Sequence, residues 1–392
     1  MVSWTYVIRH STGQLKMAQS TNTIPISSFV VKVHSRCNLN CNYCYEYNQG
    51  NDGWKSKPKF MTLDVFRKLC ERIAEHLKEH DFKHKPHISF HGGEPLLQPI
   101  KFFDEAVEIA TSLIPGIEFG LQTNSTLLTN EHIKMFRRLD IRAGTSLDGP
   151  QHITDKNRVD LQGRGTFETV MKGIKKFQAN PDAWGGILGV IDVEADPIEI
   201  IDFFVALAPP MIDLLEPDGT WECLPPGKSK SSSVEYGNWL IRAFDYWYDN
   251  HSEMKLRRFD EIIEVLLGGA GKTEYFGIGP VDLITVATDG AYEAVDQIKV
   301  AYNGAEITNL DVFKNSLNEV LKHRSIQDRM IGTDSLSETC IKCQFMKSCG
   351  GGYFPHRYSA TNGFNNPSIY CSDYKILFSH IENRIRQDLA TQ

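Results

Sequence analysis

From residue 28 to about residue 215, short apolar runs alternate with amphipathic stretches. The runs are Ser28–His34 (SFVVKVH), His87–Phe90, Ile117–Gln122, Ile141–Leu147, Gly186–Val193 and Met211–Leu215, each of strand length. Between the first two, Leu63, Phe66, Leu69, Cys70, Ile73 and Leu77 recur every three or four residues, the apolar stripe of a helix, and Thr62 stands where its N-cap belongs. Similar stripes cover Pro99–Leu113, Asn130–Leu139, Thr166–Ala179 and Pro197–Ala208. Strands alternating with helices predict an α/β fold with a parallel sheet, open or closed, and ligands at the carboxyl ends of its strands. Residues just after each run therefore matter most for chemistry.

The pattern changes at Leu224–Ser233 (LPPGKSKSSS), whose Pro, Gly, Ser and Lys predict a flexible connection. Helices are predicted over Val234–His251 and Phe259–Leu267, then a Gly-rich passage and a hairpin around Asp289 and Gly290. The stretch Cys340–Cys371 mixes Cys, Gly and aromatics with little periodicity and needs a staple. The expected divisions are an amino-terminal extension (1–27), the strand-helix region (28–222), a connection with two bridging helices (223–272) and a carboxy-terminal α+β unit (273–392).

At 392 residues, 41% hydrophobic and 23% charged, the chain is long enough for a sizeable core and unlike a disordered one in composition. Lys and Arg number 42 against 49 Asp and Glu, so a net charge of −7 leaves no global field for nucleic acid or an anionic membrane, and neither is expected as a partner. Met1–His10 lacks the basic head and apolar core of a signal peptide, and no apolar run of about 18 residues occurs. A cytoplasmic location is expected. In a reducing compartment, nine cysteines point to metal binding, chemistry or core packing rather than disulfides.

Cys37, Cys41 and Cys44 form C-x3-C-x2-C immediately after the first strand. Three thiolates on one loop suit a cuboidal iron-sulfur cluster, which ordinarily takes four, and so leave one iron open to a ligand. A structural zinc site instead closes with four ligands in paired spacing, and three chance core cysteines fit poorly with the Asn residues between them. Cys340, Cys343, Cys349 and Cys371 form a second set, able to close a zinc site or to hold a complete [4Fe-4S] cluster; spacing alone leaves both open.

The first motif, with Tyr43 as its aromatic, resembles that of the radical S-adenosylmethionine (SAM) enzymes. That resemblance implies a partial (β/α)6 barrel, a [4Fe-4S] cluster on Cys37, Cys41 and Cys44, and S-adenosyl-L-methionine chelated to the open iron and cleaved to a 5'-deoxyadenosyl radical. Gly92, Gly93, Glu94 and Pro95 resemble the family's GGEP segment, which receives the cofactor's ammonium. Asn124 and Ser146 resemble residues lining the ribose and methionine side, and Arg158 resembles an arginine that contacts the cofactor carboxylate. Each has a plain structural reading as well: a turn, loop-capping polar groups, a surface arginine. Cys70 reads as core, Cys223 as core or a substrate-side thiol, and His91 as a cofactor-facing or structural residue.

The second cysteine set resembles a SPASM-type domain, the carboxy-terminal extension of radical enzymes that modify ribosomal peptides. The resemblance implies an auxiliary [4Fe-4S] cluster on Cys340, Cys343, Cys349 and Cys371. Two positions that carry cysteine in that pattern are Tyr353 and Val295 here, so a second auxiliary cluster is expected to be absent. Asp296 stands where sulfatase-maturating relatives carry a base, and reads equally as a solvated hairpin aspartate.

From Ile24 to Tyr374 the sequence resembles the FxsB-like peptide maturases, on stretches such as FVVKVHSRCNLNCNYCYEY, SFHGGEPLL and FNNPSIYCSD. That implies an oxidoreductase or lyase that joins an aromatic ring to a neighbouring Cβ of a ribosomal precursor peptide as a cyclophane. Alternatives are a splicease that excises tyramine to leave an α-keto-β-amino residue, an epimerase, or sulfatase-maturase-like oxidation. The implied partners are the precursor peptide and a reductant such as flavodoxin or ferredoxin; since only 36 residues precede Cys37, a separate leader-recognition protein or a groove on the carboxy-terminal domain is expected to hold the leader.

Overall fold

The computed structural model describes residues 25–80, 85–271, 273–279, 281–330 and 332–390; most of the expected extension 1–27 lies outside these residues. Six strands form in the expected order: β1 (Ser28–His34), β2 (His87–Gly92), β3 (Glu118–Thr123), β4 (Ile141–Ser146), β5 (Trp184–Val190) and β6 (Ile212–Leu215). Helices α1 (Leu63–Glu79), α2 (Ile100–Leu113), α3 (Asn130–Arg138), α4 (Gln151–Asn157), α5 (Phe167–Gln178) and α6 (Pro197–Leu207) lie between them. Thr62 caps α1 by accepting from the Val65 amide.

All neighbouring pairs among these six strands are parallel and sequential, so every right-handed crossover returns its helix to the same face. That face is the core. Phe29, Val31, Ile88, Phe90, Phe119 and Leu121 point into it, and Phe66 of α1 and Phe103 of α2 meet Phe90 with ring centroids 6.0 and 5.3 Å away. The alternate positions Val30, Ser89, His91, Gln122, Gly144 and Ser146 are only partly buried and line a concave, mostly polar inner wall. The crossover helices thus cover the core face and leave the polar face as the inner wall of a partial barrel.

The sheet continues beyond the sixth strand. β7 (Leu283–Val286) pairs parallel with β1, and β8 (Ala291–Glu293) and β9 (Ile307–Asp311) extend it antiparallel, giving nine strands in the order β6-β5-β4-β3-β2-β1-β7-β8-β9. The hairpin at Asp289 and Gly290 is the β7–β8 turn, with Gly290 at φ +85°. Helices α7 (Glu235–Asn250) and α8 (Arg257–Leu266) precede it, and a terminal helix spans Cys371–Ala390.

The connection expected to be flexible, Leu224–Ser233, is instead tied down. Lys228 is buried, its Nζ donating to Ser233 O at 2.7 Å and to Asp373 at 2.5 Å, and Asp373 also accepts from the Gly237 amide. A buried charge of this kind persists only when paired, so the segment clamps α7 to the terminal helix.

Candidate functional site

The cysteine loop leaves β1 and is braced on both sides. The Asn40 and Asn42 amides donate to Val159 O and Asn157 O at 2.8 and 3.0 Å, and Asn48 Nδ2 donates to Cys41 O at 2.8 Å. Asn38 exchanges side-chain bonds with Asn124 and Thr126, so asparagine serves here as scaffold. Cys37 Sγ accepts from the Leu39 amide at 3.4 Å and from Asn124 Nδ2 at 3.8 Å. Burial pushes the thiols of Cys37, Cys41 and Cys44 up, Cys44 to about 12. Half-buried thiols crowded on one loop, with their proton affinity raised, become thiolates only against a cation, which suits a metal centre.

Next to this loop is the turn after β2. A Cβ on Gly93 would collide with the Arg36 backbone and the Tyr47 hydroxyl, and one on Gly92 with His34 O, so both glycines are needed for the turn to touch the cysteine loop. Pro95 opens a short 3-10 turn. Glu94, 1% exposed, accepts from Leu96 N at 3.0 Å, Thr123 Oγ1 at 2.7 Å and Asn124 N at 2.8 Å, locking the ends of β2 and β3 together. Burial outweighs those bonds and lifts its carboxyl to about 6.

A third cluster closes the ring. Tyr43 donates to Asp148 Oδ2 at 2.6 Å and accepts from Arg158 Nη1 at 2.7 Å, while Asp148 also takes the Val190 amide at 3.1 Å. Arg158 is buried and its Nε has no partner, a donor left over for an incoming anion. Ser146 accepts from Gln122 Nε2 at 2.9 Å on the inner wall. The structure thus brings Cys37, Cys41, Cys44, Tyr43, Gly92, Gly93, Glu94, Asn124 and Arg158 around one rim. Their donor set fits a cluster with an amino-acid-like ligand: thiols for iron, Glu94 for an ammonium and Arg158 Nε for a carboxylate.

Asp296 is 5% exposed, not solvated. Two lysines and two further carboxylates meet around it. Lys32 of β1 pairs with Glu46 at 2.7 Å, Glu293 at 3.4 Å and Asp296; Lys299 pairs with Glu46 at 2.6 Å and with Glu293 and Asp296 at 3.3 Å. Tyr45 donates to Asp296 Oδ2 at 2.7 Å. Against the cost of burial, the lysines hold the Asp296 carboxyl well below the usual carboxylate range. It is ionised and a weak base. His91 faces the same wall from β2, in register with Lys32, and its Nδ1 is buried without a partner.

The second thiol set also converges. Cys340, Cys343, Cys349 and Cys371 line a single cavity with Phe345, Met346 and Tyr374. Among the described residues no three His, Cys, Asp or Glu side chains share one ion-sized site; a cuboidal cluster asks for less, since each thiolate reaches its own iron. Val295 and Tyr353 are both buried, Tyr353 stacked on Tyr275 at 4.4 Å and donating to Gln297 Oε1 at 2.6 Å. Cys70 lies in the α1 core, and Cys223 is exposed.

The Radical SAM superfamily pattern matches residues 31–204. These residues form a radical SAM domain. Beyond it, the chain is 27% identical over 91% of its length to a serine-type anaerobic sulfatase-maturating enzyme of Bacteroides thetaiotaomicron, covering 89% of that protein. A cysteine-type counterpart of Clostridium perfringens is 25% identical over 92% of this chain and 97% of its own length. Among solved structures, native anSMEcpe with bound AdoMet superposes with a TM-score of 0.78 at 23% identity, covering 92% of this chain and 98% of that one. Streptococcus suis SuiB bound to precursor peptide SuiA superposes at 0.57 and 14% identity, over 89% and 76%. The radical SAM domain and the carboxy-terminal unit are therefore shared as a fold along nearly the whole chain.

Sequence reasoning missed Asp148 and the partners of Asp296. Asp148 had a signal, two residues after Ser146 at a strand end. Lys32, Tyr45, Glu46, Glu293 and Lys299 had none, being spread over four segments that only the sheet unites. Among the described residues no helix is long and apolar enough to cross a membrane.

Proposed function

We propose that this radical SAM protein modifies a peptide or protein substrate, and that it does so as a peptide maturase that joins an aromatic ring to a neighbouring Cβ. The observation that carries the reading is the thiol loop standing over an open polar wall, with Glu94, Asn124 and Arg158 beside it. When bound, the cluster and S-adenosyl-L-methionine supply hydrogen-atom abstraction. Glu94 and Arg158 would hold the amino and carboxylate ends of the cofactor; Tyr43 and Asp148 fix the Arg158 guanidinium, and Asn124 braces Cys37. The carboxy-terminal thiols would hold one auxiliary cluster, a suitable electron acceptor, with no second one at Val295 and Tyr353. An extended substrate suits the open wall, and a separate reductant and leader-recognition protein complete the proposed set of partners. We further propose the divisions 28–222, 223–272 and 273–392 as functional units: cofactor cleavage, bridge and auxiliary cluster.

Side-chain oxidation to a carbonyl is the second reading, favoured by the end-to-end likeness to two sulfatase-maturating enzymes. Anaerobic turnover with the peptide encoded beside the gene separates the two. Both a crosslink and oxidation of an alcohol remove two hydrogen atoms, so intact mass alone does not decide. A hydrazide-unreactive product whose fragment ladder is silent between two residues supports the crosslink. A hydrazide-reactive product supports oxidation, and no SAM cleavage at all refutes both.

A further inference from the structure

Arg357 is buried beside the carboxy-terminal thiols, and its side chain forks onto the chain that carries them. Nη2 donates to Gly350 O at 2.6 Å and Gly352 O at 2.7 Å, and Nε to Gly352 O at 3.1 Å. The guanidinium packs on Gly351, where a Cβ would lie 2.9 Å from Cζ, and Gly351 itself lines the thiol cavity. Nη1 is buried and bonds to nothing. Among the described residues no carboxylate pairs with Arg357, whereas every other arginine buried to a comparable degree, Arg158, Arg258 and Arg329, has one.

A buried guanidinium without a counter-charge is costly enough to be rare. The groups that offset this one are the sulfurs of Cys340 and Cys349, which stand against the pull of burial on its charge. Lys375 also faces the set, near Cys371, but it is solvent-exposed and screened. Among the described residues, Arg357 is thus the buried positive charge that stands against these thiolates.

We propose that Arg357 is a potential-setting residue for a cluster held by Cys340, Cys343, Cys349 and Cys371, raising its reduction potential by stabilising the more negative, reduced form. The inference rests on the proposed auxiliary cluster. Net charge and hydrogen bonding around the sulfurs are the protein's means of moving such a potential, and a cation fixed by three backbone bonds acts without reorganising. A cluster poised high suits the role of accepting an electron from a substrate radical.

The test uses the full chain with Cys37, Cys41 and Cys44 changed to Ala, reconstituted anaerobically so that only the carboxy-terminal site titrates, and followed by EPR during a redox titration. Arg357→Gln is expected to lower the reduced-to-oxidised ratio at least tenfold at the potential that half-reduces the parent, equivalent to about 59 mV for a one-electron couple. Arg357→Lys keeps the charge and loses the fork, and is expected to stay within about threefold of the parent. Lys375→Gln is expected to shift the ratio less than Arg357→Gln. If Arg357→Gln loses iron while Arg357→Lys keeps it, charge balance is supported directly; if both lose it, or if Gln and the parent titrate alike, the inference is overturned. A parent that holds zinc or no metal at this site refutes the auxiliary cluster itself, a different failure from an unmoved potential.

Discussion

Glu94→Gln isolates the electrostatics of the cofactor rim. Glu94 is fully enclosed and accepts three bonds, from Leu96 N, Thr123 Oγ1 and Asn124 N. Its carboxyl is nonetheless lifted from 4.5 to about 6, because burial outweighs the bonds. At 1.36 kcal/mol per pH unit, keeping it ionised costs the fold about 2 kcal/mol. Its folded pKa is above the unfolded one, so the stability it contributes is full below pH 4.5 and is lost as pH rises through about 6. Glutamine mimics the protonated form and does not titrate. The stability of the parent minus that of the variant should therefore fall as pH rises, by roughly 1 kcal/mol between pH 5 and pH 7.5 and about 2 kcal/mol over the full window. Anaerobic urea unfolding of both proteins at several pH values measures this. The same variant should bind S-adenosyl-L-methionine much more weakly, having lost the counter-charge for its ammonium. A stability difference that does not change with pH would refute the argument that the site pays folding energy to keep a charge, and undiminished cofactor binding would refute its purpose.

Three further outcomes follow from the same geometry. Lys32→Met should destabilise the protein by about 3–5 kcal/mol, since Lys299 alone would face Glu46, Glu293 and Asp296; Asp296→Asn leaves two carboxylates against two lysines and should cost clearly less, an ordering that denaturant unfolding checks. Tyr43→Phe deprives both Asp148 and Arg158 of a bond and should cost about 1.5–3 kcal/mol and weaken cofactor binding, measured by unfolding and calorimetry. Gly93→Ala drives a methyl into the Arg36 backbone and should cost about 1–3 kcal/mol while lowering iron retention on the adjacent Cys37 loop, read by iron assay.

What could be read from the sequence was local. Ser28–His34 is a strand because its apolar residues sit on a period of two with one face against α1, and α1 begins where Thr62 can cap it. The terminal helix went unread although Tyr374, Leu377, Phe378 and Ile381 carry its buried stripe, because cysteine spacing in the preceding segment held more information than its periodicity. The pairing of β7 with β1 was beyond reach for a different reason, although its hairpin turn at Asp289 and Gly290 was legible. Four residues that pair with β1 look like any short apolar run, and only the closed register Ser28 with Leu283 through Val31 with Val286 places them.

The site divides along the same line. Thiols, glycines and Glu94 sit in motifs because each must meet a neighbour a few residues away, so their spacing is chemistry made visible. The charge network around Asp296 balances residues from β1, the cysteine loop, β8 and the following turn, so no spacing records it. That difference changes how Asp296 is to be understood. From sequence it is a candidate base; in the fold, Lys32 and Lys299 hold its proton affinity down, against the pull of burial. A group so placed accepts a proton from substrate only if the lysines are drawn away from it, as a bound peptide carboxylate or a shift of the turn carrying Lys299 would do. Base strength at this position is then a property of the lysines. Lys299→Met should move the pH profile of turnover to higher pH, by raising the Asp296 proton affinity, whereas Asp296→Asn should lower the rate at every pH; a Lys299→Met profile that coincides with the parent's would refute the argument.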